Sequence, residues 1–286
     1  MRIFLSLFIV VVLAVTFYFD VDAKAMELQD EIFNRAMISF GLAKGLNAII
    51  SLLQGTEFSI TPVGVGLNFS IGEILDPFND IVERFSWVML LSSVSLGIQK
   101  LFLLFSSKLF LQVAVVISSL TTLLFLWVNS LKKSTLFVYT LKTFFFILII
   151  RFGAVIFVYT TQFIYDTTLK DEYLQASKVV QKTQEELKDI ESSSEVTMVT
   201  PKREEGFFGS FGSKYESLRS SLDLKAQLQE MQESIDAASK NIITLITIFV
   251  FETIIMPLLF LYFFILAIKF IFKVEISEKR LKLLHS

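Results

Sequence analysis

Apolar and polar positions along this chain fall into long blocks, and the blocks differ in period. The first, Ile3–Phe19, is apolar throughout, follows Arg2, and gives way to the polar segment DVDAKA. Three more blocks, Phe110–Leu131, Leu136–Phe163 and Ile242–Phe272, each exceed the roughly 20 apolar residues that a helix needs to cross a bilayer. A fifth, FSWVMLLSSVSLGIQKLFLLF at 85–105, has similar length but carries Gln99, Lys100 and four serines, which reads as an interfacial or re-entrant helix.

Residues 26–84 form an acidic segment. Within it, IFNRAMISFGLAKGLNAIISLL (32–53) repeats apolar residues at helical spacing and predicts an amphipathic helix. FSITPVGVGLNFSIG (58–72) alternates and is rich in glycine, as in a short hairpin or irregular loop. Asp76-Pro77 then suits a helix cap followed by proline at the first helical position, with the helix running on into 85–105.

Residues 164–241 switch to a different rhythm. Leu169, Tyr173, Ala176, Val180, Thr183, Leu187 and Ile190 alternate in steps of four and three, and so do Leu224, Leu228, Met231, Ile235, Ala238, Ile242 and Leu245. This a/d spacing predicts two coiled-coil arms that pair antiparallel around a tip loop at 191–213, which contains Pro201. One register sets Val180 against Leu224, Tyr173 against Met231 and Leu169 against Ile235. No Gly or Pro interrupts either arm where it meets its apolar block, so both should continue into transmembrane helices. The tip carries GFFGSFGS at 206–213, which offers Phe207, Phe208 and Phe211 either to self-packing or to a partner.

Composition supports the same fold class. With 53% hydrophobic residues, 31 phenylalanines among 286 residues and a mean hydropathy of +0.64, the chain reads as an all-α membrane protein. The expected architecture is a helical transmembrane bundle with a long antiparallel coiled-coil hairpin continuous with the last two spans.

The N-terminus admits two readings. Ala23 and Ala25 give the small-x-small pattern of a signal peptide cleaved after residue 25, whereas the length of the apolar run suits a retained anchor. Lysine and arginine bias sets the orientation. If 85–105 spans, Lys132-Lys133 and the basic tail fall outside; with 85–105 at the interface, which the bias favours, Arg2, Lys132-Lys133 and the basic tail 273–286 all fall on the cytoplasmic side. The spans are then 110–131, 136–163 and 242–272. The hairpin 164–241 falls on the extracytoplasmic side of what should be a bacterial cytoplasmic membrane.

Chemistry is sparse. Formal net charge is −2, so no basic field recruits nucleic acid. Cysteine is absent and His285 is the only histidine, which removes disulfides, thiol nucleophiles and the usual metal sites and general bases. Neither an enzyme nor a cofactor is expected. Asp76, Asp80 and Glu83 could hold a cation, but their placement suits first-turn carboxylates favoured by the helix dipole.

Two charges lie deep in apolar blocks: Arg151 and Glu252. The hairpin register places them at nearly the same depth, so an intramembrane ion pair fixing the helix register is expected. Lys142 and Lys100 lie nearer the block ends and should snorkel. Pro257 should kink the last span or be tolerated there. The function these features suggest is a non-catalytic membrane scaffold or accessory subunit, in contact with lipid and with a protein partner or further copies of itself. The alternative is an oligomeric channel or transporter with Arg151 and Glu252 near its path.

Overall fold

Four-three spacing turns out to organise most of the helices. In α2 (Val21–Gln54) the buried positions are Ala25, Gln29, Ile32, Ala36, Ser39, Ala43, Leu46, Ile50 and Leu53, an unbroken heptad stripe. In α3 (Ile71–Ser106) the stripe is Leu75, Phe78, Val82, Phe85, Met89, Ser92 and Leu96. The computed structural model describes residues 2–18, 20–54, 71–128, 135–196 and 209–273, and no strand occurs among them. The remaining helices are α1 (Arg2–Tyr18), α4 (Leu109–Trp127), α5 (Thr135–Ile164), α6 (Lys170–Val196), α7 (Gly209–Val250) and α8 (Met256–Lys273). Two π-helical turns, Tyr165–Leu169 and Phe251–Ile255, join α5 to α6 and α7 to α8.

The described residues contain five helical stretches long and apolar enough to cross a membrane. They are Val21–Gln54, Leu75–Ser106, Leu109–Trp127, Leu136–Ile190 and Gln229–Lys273, and the shorter apolar helix Arg2–Tyr18 stands beside them. The described residues are thus helical throughout apart from short connections, with helices of the length and composition of an integral membrane protein. The helices that hold residues 26–54 and 85–105 are also long and apolar enough to cross, though less apolar than the three spans read from the sequence.

The chain divides into two units. The first comprises Met1–Arg35, Ser92–Thr168 and Phe251–Ser286. Here α1 packs on α4 and α5: Ile9 and Val12 share a cluster with Val115, Phe144 and Leu148. Phe8 meets Phe144 edge-on and stacks on Phe145, with centroids 6.5 and 6.2 Å away. Trp127 Nε1 donates to Ser6 Oγ at 3.2 Å. A second cluster joins Ala25 of α2, Leu103 of α3, Val155, Phe157 and Val158 of α5 and Met256 of α8. Residue 25, the expected cleavage boundary, therefore lies inside α2 and inside this cluster. Many outward positions are bulky and apolar, among them Leu258, Leu261, Tyr262, Phe263 and Phe270 of α8. Such a surface suits lipid rather than water.

Helices α5 and α8 meet through phenylalanines. Phe157 and Phe260 lie 4.9 Å apart, and Phe146 and Phe272 lie 5.9 Å apart. Gly153 makes room for this contact, because a Cβ there would stand 3.1 Å from the Phe264 ring and 3.6 Å from that of Phe260. Gly153→Ala should shift one ring slightly and cost about 1 kcal/mol, whereas Gly153→Leu should cost several times more. Thermal unfolding midpoints in detergent measure both.

The second unit comprises Ala36–Leu91 and Leu169–Val250. Helices α6 and α7 pack antiparallel here, with Tyr173, Ala176, Val180, Thr183 and Leu187 buried on one and Met231, Ile235, Ala238, Ile242 and Leu245 on the other. Thr183 and Ser234 hydroxyls lie 3.0 Å apart, and the Tyr173 ring meets Phe249 edge-on at 6.0 Å. The register is therefore not the expected one: Tyr173 faces Phe249 rather than Met231. The pair does not stand alone either, because α2 packs on α6. Ser39 Oγ lies 3.5 Å from the Tyr173 hydroxyl, and Gly45 is approached closely by the Gln184 side chain.

Helix bounds correct three further expectations. Helix α3 starts at Ile71, so Pro77 lies inside it rather than at its first position, and Asp76 accepts from Gln54 Nε2 of α2 at 2.7 Å instead of capping. Pro77 is tolerated because it sits in the second turn, where only one backbone bond is lost. Helix α6 runs on to Val196 and α7 begins at Gly209, inside the expected tip loop. Phe207 and Phe208 lie outside the described residues. Phe211 falls in the first turn of α7, its side chain outside the described set. Residues 55–70, which hold most of the expected hairpin at 58–72, also lie outside it.

Candidate functional site

Several buried polar residues of the first unit converge. Arg35 of α2, Gln162 and Tyr165 from the end of α5 and the following π turn, and Glu252 of the second π turn form one cluster. Arg35 Nη2 donates to Glu252 Oε1 at 3.1 Å, and Nη1 donates to Gln162 Oε1 at 3.4 Å. The guanidinium carbon lies 3.4 Å from the centroid of the Tyr165 ring, so the cation also rests on an aromatic face. Gln162 Nε2 passes the network on to Asp166 Oδ2 at 3.2 Å. Arg35 is 8% exposed and Glu252 is 1% exposed.

Burial at this depth makes pairing obligatory, because a lone ion held out of water is costly. The pairing is incomplete all the same. Arg35 Nε and Glu252 Oε2 are buried with no hydrogen-bond partner. Arginine offers five donors in a fixed fork, and here two of its three nitrogens are engaged.

The second π turn has an identifiable cause. Pro257 has no N–H, so the carbonyl of Thr253, four residues earlier, loses its helical donor. Ser95 Oγ of α3 donates to that carbonyl at 2.8 Å, and Ser92 Oγ lies 3.1 Å from Thr253 Oγ1. Ser95, one of the four serines that made 85–105 look too polar to span a membrane, thus repairs a backbone defect in a neighbouring helix. The first π turn is a phase adapter. Buried positions on α5 run Leu148, Arg151, Val155, Val158, Gln162 and Tyr165, and the next, Tyr173, comes eight residues later rather than seven. One inserted residue is what a π turn accommodates.

The structure does not bring Arg151 and Glu252 together. Arg151, 2% exposed, makes a two-pronged bond with Asp22: Nη1 donates to Oδ1 at 2.8 Å and Nη2 to Oδ2. Its guanidinium also lies 5.1 Å from the Phe152 ring. Each of the two expected partners therefore pairs with an α2 residue. Lys100, expected to snorkel, pairs instead with Asp30 of α2 at 2.5 Å. Lys142 Nζ donates to the Phe272 carbonyl at 2.9 Å, which tethers α5 to the end of α8.

Alanine at either Asp22 or Arg151 should lower stability by about 2–4 kcal/mol, because the remaining charge keeps its burial and loses its partner. The double exchange Asp22→Arg with Arg151→Asp should recover part of that loss. Equal accumulation of the Asp22→Ala variant and the parent in membranes would contradict the pairing.

Sequence reasoning missed Arg35 and Asp22 because both lie in segments read as separate from the bundle. The signal for Arg35 was present. It stands beside Ala36 on the apolar stripe, whereas Glu31, its natural partner one turn back on an isolated helix, lies on the exposed side. Among the described residues no three His, Asp or Glu side chains converge on a common point that could hold a metal ion. Neither a family model, nor a curated protein, nor a solved structure matches this chain.

Proposed function

We propose that this protein is a non-catalytic, multi-pass membrane scaffold or accessory subunit. In this reading α6 and α7 form a coiled-coil hairpin whose far end, with Phe207, Phe208 and Phe211, contacts another envelope component on the extracytoplasmic side. One observation carries the reading. The charges buried in the first unit are engaged helix to helix, Asp22 with Arg151 and Arg35 with Glu252, which is how a static bundle fixes its register. A conduction path would need such groups to face a water-filled space.

A second reading keeps a specific foothold. Glu252 Oε2 and Arg35 Nε are buried without partners, as in a site that exchanges a proton or an ion in an oligomeric channel or transporter. Purified full-length protein in liposomes separates the two. The scaffold reading expects no flux above empty vesicles. It also expects a partner that co-purifies with the parent and is lost when α6 and α7 are each shortened by one heptad. Current or flux that disappears in Glu252→Gln while the protein remains folded would overturn the scaffold reading in favour of the channel.

A further inference from the structure

A cavity of about 410 Å³ lies between α2 and α3 in the second unit, and none of the features above uses it. One wall is Phe40, Lys44 and Asn47 of α2, and the other is formed chiefly by Glu83, Ser86 and Trp87 of α3. Phe40, Lys44 and Asn47 are four and three apart, and Ser86 and Trp87 lie three and four residues after Glu83, so each helix turns these residues toward the cavity. The volume falls within the range of small-molecule sites.

Its chemistry is that of a host for a zwitterion. Lys44 and Glu83 stand on opposite walls, and neither has an ion-pair or hydrogen-bond partner among the described residues. Ser86 is 4% exposed, and its buried Oγ has no partner. Asn47 adds an amide, and Trp87 offers an indole that is 60% exposed. A cation, an anion, a hydroxyl with unused bonding capacity and an aromatic face are thus gathered in one groove.

The groove also has a direction. Gln54 meets Asp76, and Phe40 to Asn47 face Glu83 to Leu90, so the two helices run antiparallel. The Asn47 end is therefore the Glu83 end, and beyond it on α3 lies Asp80. At the other end Met37 on α2 and Leu90 and Leu91 on α3 are exposed. Along α3 the charges of Asp80, Glu83 and Arg84 stop at Phe85, and none follows until Lys100. The groove straddles that boundary, with its tryptophan where tryptophans gather in membrane proteins.

We propose that this groove binds a zwitterionic phospholipid. The phosphate sits on Lys44, Asn47 and Ser86, the ammonium lies between Glu83 and the Trp87 ring, and the acyl chains leave past Met37, Leu90 and Leu91. The site requires only that the chain is embedded in lipid, and it is independent of whether the protein is a scaffold or a channel.

Trp87 is one of two tryptophans, so a Trp127→Phe background makes it a private reporter. The full-length protein is placed in nanodiscs doped with brominated phosphatidylethanolamine or, at the same mole fraction, brominated phosphatidylglycerol. Trp87 quenching should be at least about twofold stronger with the zwitterionic lipid. Lys44→Gln and Glu83→Gln should each erase that difference while leaving quenching by phosphatidylglycerol unchanged. Equal quenching by both lipids in the parent means bulk contact only and overturns the proposal, as does a preference for the anionic lipid. A Trp87 emission shift with free phosphoethanolamine in detergent, without lipid preference in nanodiscs, would assign the site to a soluble zwitterion and overturn the lipid. The parent comparison decides the matter even if a variant fails to fold.

Discussion

Glu252→Ala and Arg35→Ala should each destabilise the protein by about 3–5 kcal/mol, the cost of leaving one buried charge without its partner. In a chain of this size that corresponds to a drop in unfolding midpoint of about 5–15 °C. The two losses should not add. With Glu252 gone, Arg35 is already unpaired, and its removal relieves a penalty rather than adding one. Replacing both residues by methionine should therefore recover most of the stability that either single change removes. Arg35→Lys should fall between, because it keeps the charge but gives up the second donor to Gln162 and the flat contact with Tyr165. Thermal unfolding of the four variants in one detergent measures the cycle, and single-mutant losses below about 1 kcal/mol would mean that water reaches the pair.

The second large effect is covalent. The chain has no cysteine, so any introduced pair reports without background. Thr183→Cys with Ser234→Cys replaces two hydroxyls 3.0 Å apart and should form an intramolecular disulfide almost completely under mild oxidation. Val180→Cys with Leu224→Cys, the pair dictated by the register read from the sequence, should form none. Mobility on non-reducing gels distinguishes them, and the opposite pattern would restore the original register.

That contrast also marks where legibility ended. The helices and their buried faces could be read from the chain, since Val180, Thr183, Leu187, Ile235, Ala238 and Ile242 all lie on the stripes that four-three spacing picks out. Their partners could not. A heptad seam looks the same after sliding by a whole number of heptads, so periodicity fixes the face and leaves the offset free. Tyr173 meets Phe249, eighteen residues beyond the expected Met231, and Thr183 meets Ser234 rather than Ser221. The two contacts displace the register by eighteen and thirteen residues, a slip of roughly two to two and a half heptads.

The same slip explains the misassigned ion pair. Glu252, expected at the depth of Arg151, lies instead at the level of Gln162 and Tyr165, where Arg35 reaches all three. One undetermined offset thus propagated from a heptad seam to a charge. The contribution of α2 was hidden for another reason. A signal-like N-terminus and an acidic stretch suggested a segment outside the bundle, and no local pattern says which helix a stripe will face.

The bond from Ser95 to the Thr253 carbonyl has a consequence for how this sequence can diverge. Proline at 257 creates the need that serine at 95 meets, although the two positions are more than 150 residues apart in the chain. In descendants of this sequence they should change together. A lineage that regains an N–H at 257 no longer needs the hydroxyl at 95, whereas one that loses the hydroxyl first carries an unanswered carbonyl until the proline goes. The order of substitution is thereby biased: a change at 257 can come first at no cost to this bond, whereas a change at 95 that comes first is penalised until 257 follows.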